Sequence, residues 1–494
     1  MESRYILAID QGTSSTKALI FDEAGKAVCK ASEPLQTHYL EGGLVEQDPA
    51  EIIRNALAAA AGCIAGFREK GRAPQHIRAL AISNQRETFL VWDKDGKPLC
   101  PAIVWQCRRS VPVCSRLQQE GLAPRIKEKT GLLVDPYFSG TKLIWLYENS
   151  PAVRKAARRG AAFFGTVDTW LLYQLTGGSS YLTDLTNASR TLFFNLSALA
   201  WDRELLELFG LSEVRLPEPR PSASHFGESD LHGLLPAPVP VAAMIGDSHA
   251  AAFGEGCLFP GAAKATLGTG CSIMMNTGDR PVQAAEGMVT TICWSMEGRV
   301  DYALEGLIIS CGATLEWLKN ELGLFASIAE IEALAGEVPD NKGVYLVPAF
   351  SGLGAPYWEM SRKASITGLS FDCTRKHLAR AALESIPYQV RDVISAMEAA
   401  SPIQLKDLRV NGGISSSRFV LRFLAGLLGK PVLSSGMADA SALGAALLAG
   451  LKTDIYRSLD QLQSFQAKPA ALFPDMDPGE VRSCYGGWLR AVGR

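Results

Sequence analysis

The sequence predicts an α/β protein made of two related domains that face a central cleft. Two observations carry that reading. Apolar, β-prone runs alternate with stretches of helical spacing, the pattern of sheets covered by helices. Each half also opens on the same unit: a strand, a loop of glycine and hydroxyl residues, and a second strand. A length of 494 residues leaves room for about two to four domains.

The first unit is RYILAIDQGTSSTKALIFDEAGKAV. YILAI and ALIFD read as strands joined by the polar loop from Asp10 to Lys17, and DEAGK, 22–26, is a turn with Gly25 free to take positive φ. In DPAEIIRNALAAAAGCIAGFREKG, Asp48-Pro49 with Glu51 marks a helix start, and apolar residues then recur at helical spacing. IRALAISNQRETFLVWDKDGKPL supplies two more strands around a polar break at 84–88, closed by the turn DKDGK. From Leu216 to Pro240 the proline-rich composition predicts an irregular surface connection. GAAKATLGTGCSIMMNTG, 261–278, repeats the opening theme around Gly268-Thr269-Gly270, which places a domain boundary near residue 250. RVNGGISSSRFVLRFLAGLLG, 409–429, reads as strand, glycine pair and amphipathic helix. The small residues of SALGAALLAG, 441–450, predict a helix packed closely on its neighbours.

Composition narrows the class. With 47% hydrophobic and 20% charged residues and a net charge of −2, the chain reads as an ordinary globular protein, with no electrostatic signature of a nucleic-acid or membrane partner. The pairs Arg108-Arg109 and Arg158-Arg159 are short enough to be solvated faces. The 11 cysteines lack metal-like spacing and read as reduced thiols of a cytoplasmic protein. The six histidines are scattered, against a zinc site. No run looks long and apolar enough for a membrane-spanning helix, which needs about 18 residues.

Several motifs can carry chemistry. DQGTSSTK is not a Walker A loop, but it offers Gly12 for close backbone approach, hydroxyls for phosphate oxygens, Lys17 as a cation and Asp10 as a ligand for Mg²⁺. A second loop, Gly268-Thr269-Gly270, can approach the same polyphosphate from the other domain. Gly412-Gly413 at a strand-to-helix turn lets a flat base lie against the backbone; simple helix capping is the plainer alternative. Arg86 and Glu87 are adjacent, so on a regular strand they point apart. At a strand end both can reach one ligand, a donor fork beside an acceptor, which suits a molecule with several hydroxyls. Trp105 and Tyr137 are candidate walls for its carbon skeleton. In IGDSHAAAFG, 245–254, the lone carboxylate Asp247 sits among small apolar residues and is expected to be drawn toward the interior.

Taken together, YFSGTKLIWLYEN, SITGLSFDCTRKHLARAALE, NQRET, AIVWQCRR, DPYFSGTK, FGTVDTWL, TNASRTLFFN, YALEG and PAFSGLGAPYW resemble the FGGY family of carbohydrate kinases, and within it the branch that phosphorylates glycerol, from Tyr5 to about Val492. The resemblance implies two actin-like (ribonuclease-H-like) domains around a central ATP and substrate cleft: residues 1–250 on the polyol and phosphate side, 251–494 on the nucleotide side. It implies transfer of a phosphoryl group from ATP, with Mg²⁺, to a primary hydroxyl of a small polyol or sugar, nominally glycerol. It places Asp10 at the metal, and Thr13, Ser14, Lys17, Gly268 and Thr269 at the phosphates. Gly312, Glu316, Gly413 and Ser417 fall near the nucleotide. Arg86, Glu87, Trp105, Tyr137 and Asp247 fall at the polyol, with Asp247 as general base. A homodimer or homotetramer is expected, in the cytoplasm, with no nucleic-acid partner and no membrane insertion.

Departures from that family pattern matter. Lys17 stands where the branch carries arginine, Glu316 where it carries glutamine, and Ser417 where it carries asparagine. Ser248 replaces a glutamine that binds the polyol, and Ser272 a phenylalanine that packs on it. These two changes predict a wider, more polar pocket and open the alternative of a four- or five-carbon polyol or ketose, xylulose-type for example. ESDLHGLLPAPVP, 228–240, replaces the basic glycine-rich loop that binds fructose 1,6-bisphosphate in some bacterial relatives, so that regulation is not expected. Two readings of other classes are an actin-like ATPase scaffold, which would turn over ATP without polyol, and a non-catalytic sugar sensor, which would not turn it over at all.

Overall fold

The computed structural model describes residues 3–285, 287–434, 436–465 and 470–494. Two large sheets organise it. The first contains β1 (Tyr5–Gln11), β2 (Ser15–Phe21), β3 (Ala27–Pro34), β4 (Ile77–Asn84), the short β5 (Glu228–Ser229) and β6 (Val239–Gly246), in the order β5-β6-β4-β1-β2-β3. The second contains β7 (Ala262–Leu267), β8 (Cys271–Gly278), β9 (Val289–Met296), β10 (Arg299–Ile308), β11 (Asp407–Asn411), β12 (Val432–Ser434) and β13 (Ala470–Leu472), in the order β9-β10-β8-β7-β11-β12-β13.

The repetition read from sequence is a repetition of topology. In the first sheet β1 and β2 form an antiparallel hairpin, β3 continues antiparallel, and β4 and β6 add in parallel on the far side of β1. In the second sheet β7 and β8 form the hairpin, β10 continues antiparallel, and β11 and β12 add in parallel beyond β7.

Strand alternation sends the two faces of each sheet into different cores. Tyr5, Leu7 and Ile9 pack with helix α1 (Pro49–Glu69) through Ile52, Ala56 and Cys63. Ile6 and Ala8 join a core shared by both halves, with helix α2 (Asp247–Gly254), Met274, Trp294 and Ala446. In the second sheet Ala263, Ala265 and Leu267 pack on the core that holds α3 (Gly312–Asn320), α4 (Arg375–Ala400) and α5 (Arg418–Leu428). Helix α6 (Ala440–Lys452) carries the small-residue run and lies hard against α2. A side chain at Gly444 would collide with the Ala250 carbonyl, and one at Gly254 with that of Ala440, so this seam between the halves requires glycine.

Three expectations are corrected. Helix α1 is, by length and mean hydropathy (1.3), long and apolar enough to cross a membrane. Its apolar stripe is instead spent on the sheet, with Ile52, Ala56, Ala59, Ala60, Cys63, Ile64 and Phe67 buried. Arg109 is not on a solvated face: it is buried, ion-paired to Glu46 at 2.5 Å and laid over the Trp145 ring. Finally, Asp247 is not drawn inside.

Candidate active site

The site lies where the strand ends of both sheets converge. Asp10 is the penultimate residue of β1, and its cross-strand neighbour on β2 is Lys17. Burial, and next the charge of Asp247, push the Asp10 carboxyl up to about 6; Lys17 acts in the other direction. Lys17 reaches Asp439 at 3.4 Å, and Lys30 pairs with the same carboxylate at 2.7 Å. In the loop between β1 and β2, Ser14 is exposed, whereas the Thr13 hydroxyl is engaged: the Trp105 indole N–H donates to it at 2.9 Å, and it donates to Gln85 Oε1 at 3.4 Å.

At the end of β4 the backbone leaves the strand through Glu87, at φ 59°. This is the strand-end geometry that lets neighbours share one site. Arg86 and Glu87 are both buried, and two residues not singled out from sequence complete their surroundings. Arg86 Nη1 donates to Glu305 Oε1 at 3.0 Å. Arg190 donates to Glu87 Oε1 at 2.5 Å and to Glu305 Oε2. Burial alone would raise the Glu305 carboxyl; the Arg190 and Arg86 guanidiniums outweigh it and hold that carboxyl far below the usual range. Tyr137 lies at the limit of hydrogen-bond distance from Arg86, 3.5 Å, and meets Trp105 edge-on, ring centroids 5.6 Å apart. Lys142 fixes this corner by donating to the carbonyls of Pro136 and Tyr137, both at 2.7 Å; burial brings its ammonium down to about 8. Ser272, on β8, donates to Glu305 Oε1 at 3.2 Å.

Asp247 begins α2, where the helix N-terminus favours an acid. Its carboxylate stands 3.5 Å from Arg86 Nε, and its side chain is 37% exposed. The residue the sequence draws inside is His249, fully buried with Nε2 3.4 Å from Thr291 Oγ1. Burial first, then the charges of Arg86 and Arg190, push its imidazole well below the usual histidine range and keep it neutral. Gly246 is bare because Arg86 lies against it: a Cβ there would stand 2.8 Å from Arg86 Cγ.

Two cavities continue from this point. One, of about 500 Å³, is lined by Asp247, Ser248, Lys264, Thr266, Gly412 and Ser441 among others. Beside it, one of about 860 Å³ is lined by all six residues expected on the nucleotide side of the second domain: Gly268, Thr269, Gly312, Glu316, Gly413 and Ser417, over an apolar floor that includes Leu315, Ile328 and Leu383. The N–H groups of Gly312 and Cys311 donate to the Gly268 and Thr269 carbonyls, both at 2.9 Å, tying this loop to the start of α3. Gly412 takes φ 90° and passes so close to β7 that a Cβ would lie 2.5 Å from the Leu267 carbonyl. The Ser417 hydroxyl caps α5 by accepting from the Val420 N–H at 3.2 Å. Glu316 is engaged with Lys319 and Asn320. Among the described residues no group of three or more His, Cys, Asp or Glu is placed to hold a metal ion.

Two sheets of one topology, closed on a shared cleft, make this a two-domain kinase fold of the actin-like, ribonuclease-H-like type. Residues 5–254 match the FGGY family of carbohydrate kinases, N-terminal domain, and residues 263–453 match its C-terminal domain. The chain belongs to that family. It is 46% identical to the glycerol kinase of Symbiobacterium thermophilum, covering 100% of this chain and 99% of the relative, and 47% identical to that of Thermus brockianus, covering 99% and 98%. Its structure is similar to that of Plasmodium falciparum glycerol kinase with ADP, at a TM-score of 0.94 and 33% identity over 99% of this chain and 98% of the other. The xylulose kinase of Lactobacillus acidophilus, at 22% identity and a TM-score of 0.87 over 99% and 98%, shares the fold.

Proposed function

We propose that this ATP-dependent kinase acts on glycerol, transferring the terminal phosphoryl group of ATP to a primary hydroxyl. The observation that carries the reading is the position of Asp247. Its carboxylate is partly exposed, next to the buried Arg86–Glu305–Arg190–Glu87 cluster on one side and to the 500 Å³ cavity on the other. Full-length similarity to proteins named glycerol kinase supports the choice of polyol.

In this reading Arg86, Glu87 and Tyr137 hold the substrate hydroxyls, and Trp105 packs along its carbons. Asp247 accepts the proton of the attacking hydroxyl. Thr13, Ser14, Lys17, Gly268 and Thr269 line the phosphate path. Gly312, Glu316, Gly413 and Ser417 flank the nucleoside. Residues 1–250 thus bring the polyol side and 251–494 the nucleotide side. A base of this kind helps modestly; alignment of the reactants and stabilisation of charge supply most of the acceleration.

Mg²⁺ suits the oxygen donors here. Asp10 is raised to about 6 partly because it faces Asp247, an arrangement that a divalent cation relieves, and Mg²⁺ is commonly held by one or two carboxylates plus substrate phosphates. Bound there, it would neutralise phosphate charge. The 11 cysteines, all free, fit a reducing, cytoplasmic setting.

A second reading, a four- or five-carbon substrate, has one observation in its favour: Ser272 places a small hydroxyl rather than an apolar wall beside Glu305. A coupled ADP-release screen over glycerol, tetritols, pentitols and ketopentoses decides between the two. The proposal expects glycerol to give the highest kcat/KM; ADP release independent of any polyol would replace it with an ATPase.

A further inference from the structure

Lys264 is a buried cation that no role above uses. Alternation along β7 turns Ala263, Ala265 and Leu267 into the core and sends Lys264 and Thr266 to the opposite face. Lys264 is 2% exposed. Its single hydrogen bond among the described residues is to the Ser248 carbonyl, at 3.5 Å, although an ammonium has three protons to donate. It makes no ion pair among the described residues. The nearby buried acid, Glu255, is engaged by the Asn411 amide through Oε1; the Lys264 charge acts on it from beyond hydrogen-bond and ion-pair distance, and its Oε2 accepts no hydrogen bond.

A desolvated ammonium this poorly answered is costly unless an anion completes it. What Lys264 does line is the 500 Å³ cavity, together with Ser248, Thr266, Asn411, Gly412, Ser415 and Ser441. The Ser415 and Ser441 hydroxyls already donate to the Gly412 and Asp247 carbonyls, which leaves the Lys264 ammonium as the charged donor on this wall, with the Asp247 carboxylate at its edge. Thr266 and Gly412 line this cavity while their chain neighbours Leu267 and Gly413 line the larger one. The two cavities are therefore neighbours, close enough for one extended polyphosphate to reach from the larger into the smaller.

We propose that Lys264 binds the terminal phosphoryl group of the nucleotide and holds it against the hydroxyl served by Asp247. This rests on the kinase reading. In the step, the substrate oxygen forms its bond to the terminal phosphorus, and the bond from that phosphorus to the bridging oxygen breaks, leaving the electron pair on ADP. The hydroxyl proton passes to Asp247. Lys264 exchanges no proton in the step and offsets charge on the transferring oxygens.

The test is Lys264→Met, which keeps the stem and removes the charge. It is expected to lower turnover about 10²–10³-fold, the loss typical of one preorganised donor. In calorimetric titrations the wild type should bind a non-hydrolysable ATP analogue more tightly than ADP. The variant should lose that preference while still binding ADP and adenosine as the wild type does. Adding Glu255→Gln should not restore activity. Near-wild-type turnover, an equal loss of adenosine affinity, or rescue by Glu255→Gln would each overturn the proposal, the last by showing that Lys264 is only a counter-ion. Should the Met variant not fold, Lys264→Arg decides through the same affinity ratio: a reduced preference for the ATP analogue supports the proposal, and an unchanged one overturns it. A wild type that releases no ADP with any polyol would sink the kinase reading instead, and is distinct from an active wild type with an active Lys264→Met.

Discussion

On one side of the cleft Arg86, Glu87, Arg190 and Glu305 are all buried, and each is answered by another member of the group. On the other, the Asp10 carboxyl is pushed up by burial and next by the like charge of Asp247, and Lys264 has a single long hydrogen bond among the described residues. Charges are desolvated on both sides, at Lys264 on the second, but the first compensates its own more completely. The difference follows the proposed ligands. A polyol is neutral, so the side chains that hold it must be stable when it is absent. A metal–polyphosphate brings charge of its own, so the residues that meet it are left to be completed by it.

The sharpest way to break the comparison is at Asp247, which stands between the two sides. Asp247→Asn keeps the shape and removes the proton acceptor. Turnover is expected to fall about 10²–10⁴-fold, the range for a positioned base, with nucleotide binding little changed. Steady-state kinetics with calorimetry check it; a variant close to wild type would take Asp247 out of the mechanism and leave the open side without its defining residue.

The closed side is tested by removing one of its charges. Glu305→Gln leaves two buried guanidiniums without their shared carboxylate, which is expected to cost about 3–5 kcal/mol of stability. The pH dependence has a definite sign. The Glu305 carboxyl is held below its ordinary 4.5, so its contribution is complete above that pH and is lost as pH falls toward the depressed folded value. Unfolding midpoints measured from neutral to acid pH should therefore fall more steeply for the wild type than for Glu305→Gln. Parallel curves would mean that the cluster is not the preformed ionic unit described.

How much of this was legible in the sequence follows from what local pattern can encode. The hairpins around Asp10 and Thr269, the start of α1 at Asp48 and the close helix at 441–450 were all readable, because turn chemistry, capping and residue size are local signals. The residues expected at the nucleotide also converge on one cavity. Arg190 and Glu305 were not singled out. They sit in TNASRTLFFN and YALEG, stretches that carried the family resemblance, but they meet Glu87 and Arg86 across 103 and 219 residues of chain. An arginine and an acid each isolated among apolar and small residues was the available signal. The inward turn at IGDSHAAAFG was misassigned for a similar reason. Which of Asp247, Ser248 and His249 faces the core depends on the phase of α2 against α6, and the Gly254 and Gly444 contacts that set that phase are tertiary.

The smallest expected effect concerns the boundary of the closed side at Ser272. Its hydroxyl donates to the same Glu305 oxygen that receives Arg86, so Ser272 belongs to the ionic cluster while remaining partly exposed to the cleft. A phenylalanine there would exchange that hydroxyl for an apolar wall, and burying such a ring against a carbon chain is worth roughly 1.5–3 kcal/mol. Ser272→Phe combined with Ser248→Gln is therefore expected to shift the ratio of kcat/KM for glycerol over a pentitol toward glycerol by about tenfold or more. The assay is direct competition between the two polyols. A shift of that size would assign length discrimination to these two positions. An unchanged ratio would mean that Ser272 serves only to satisfy Glu305, and that substrate length is set elsewhere, by Trp105 and Tyr137 on the facing wall.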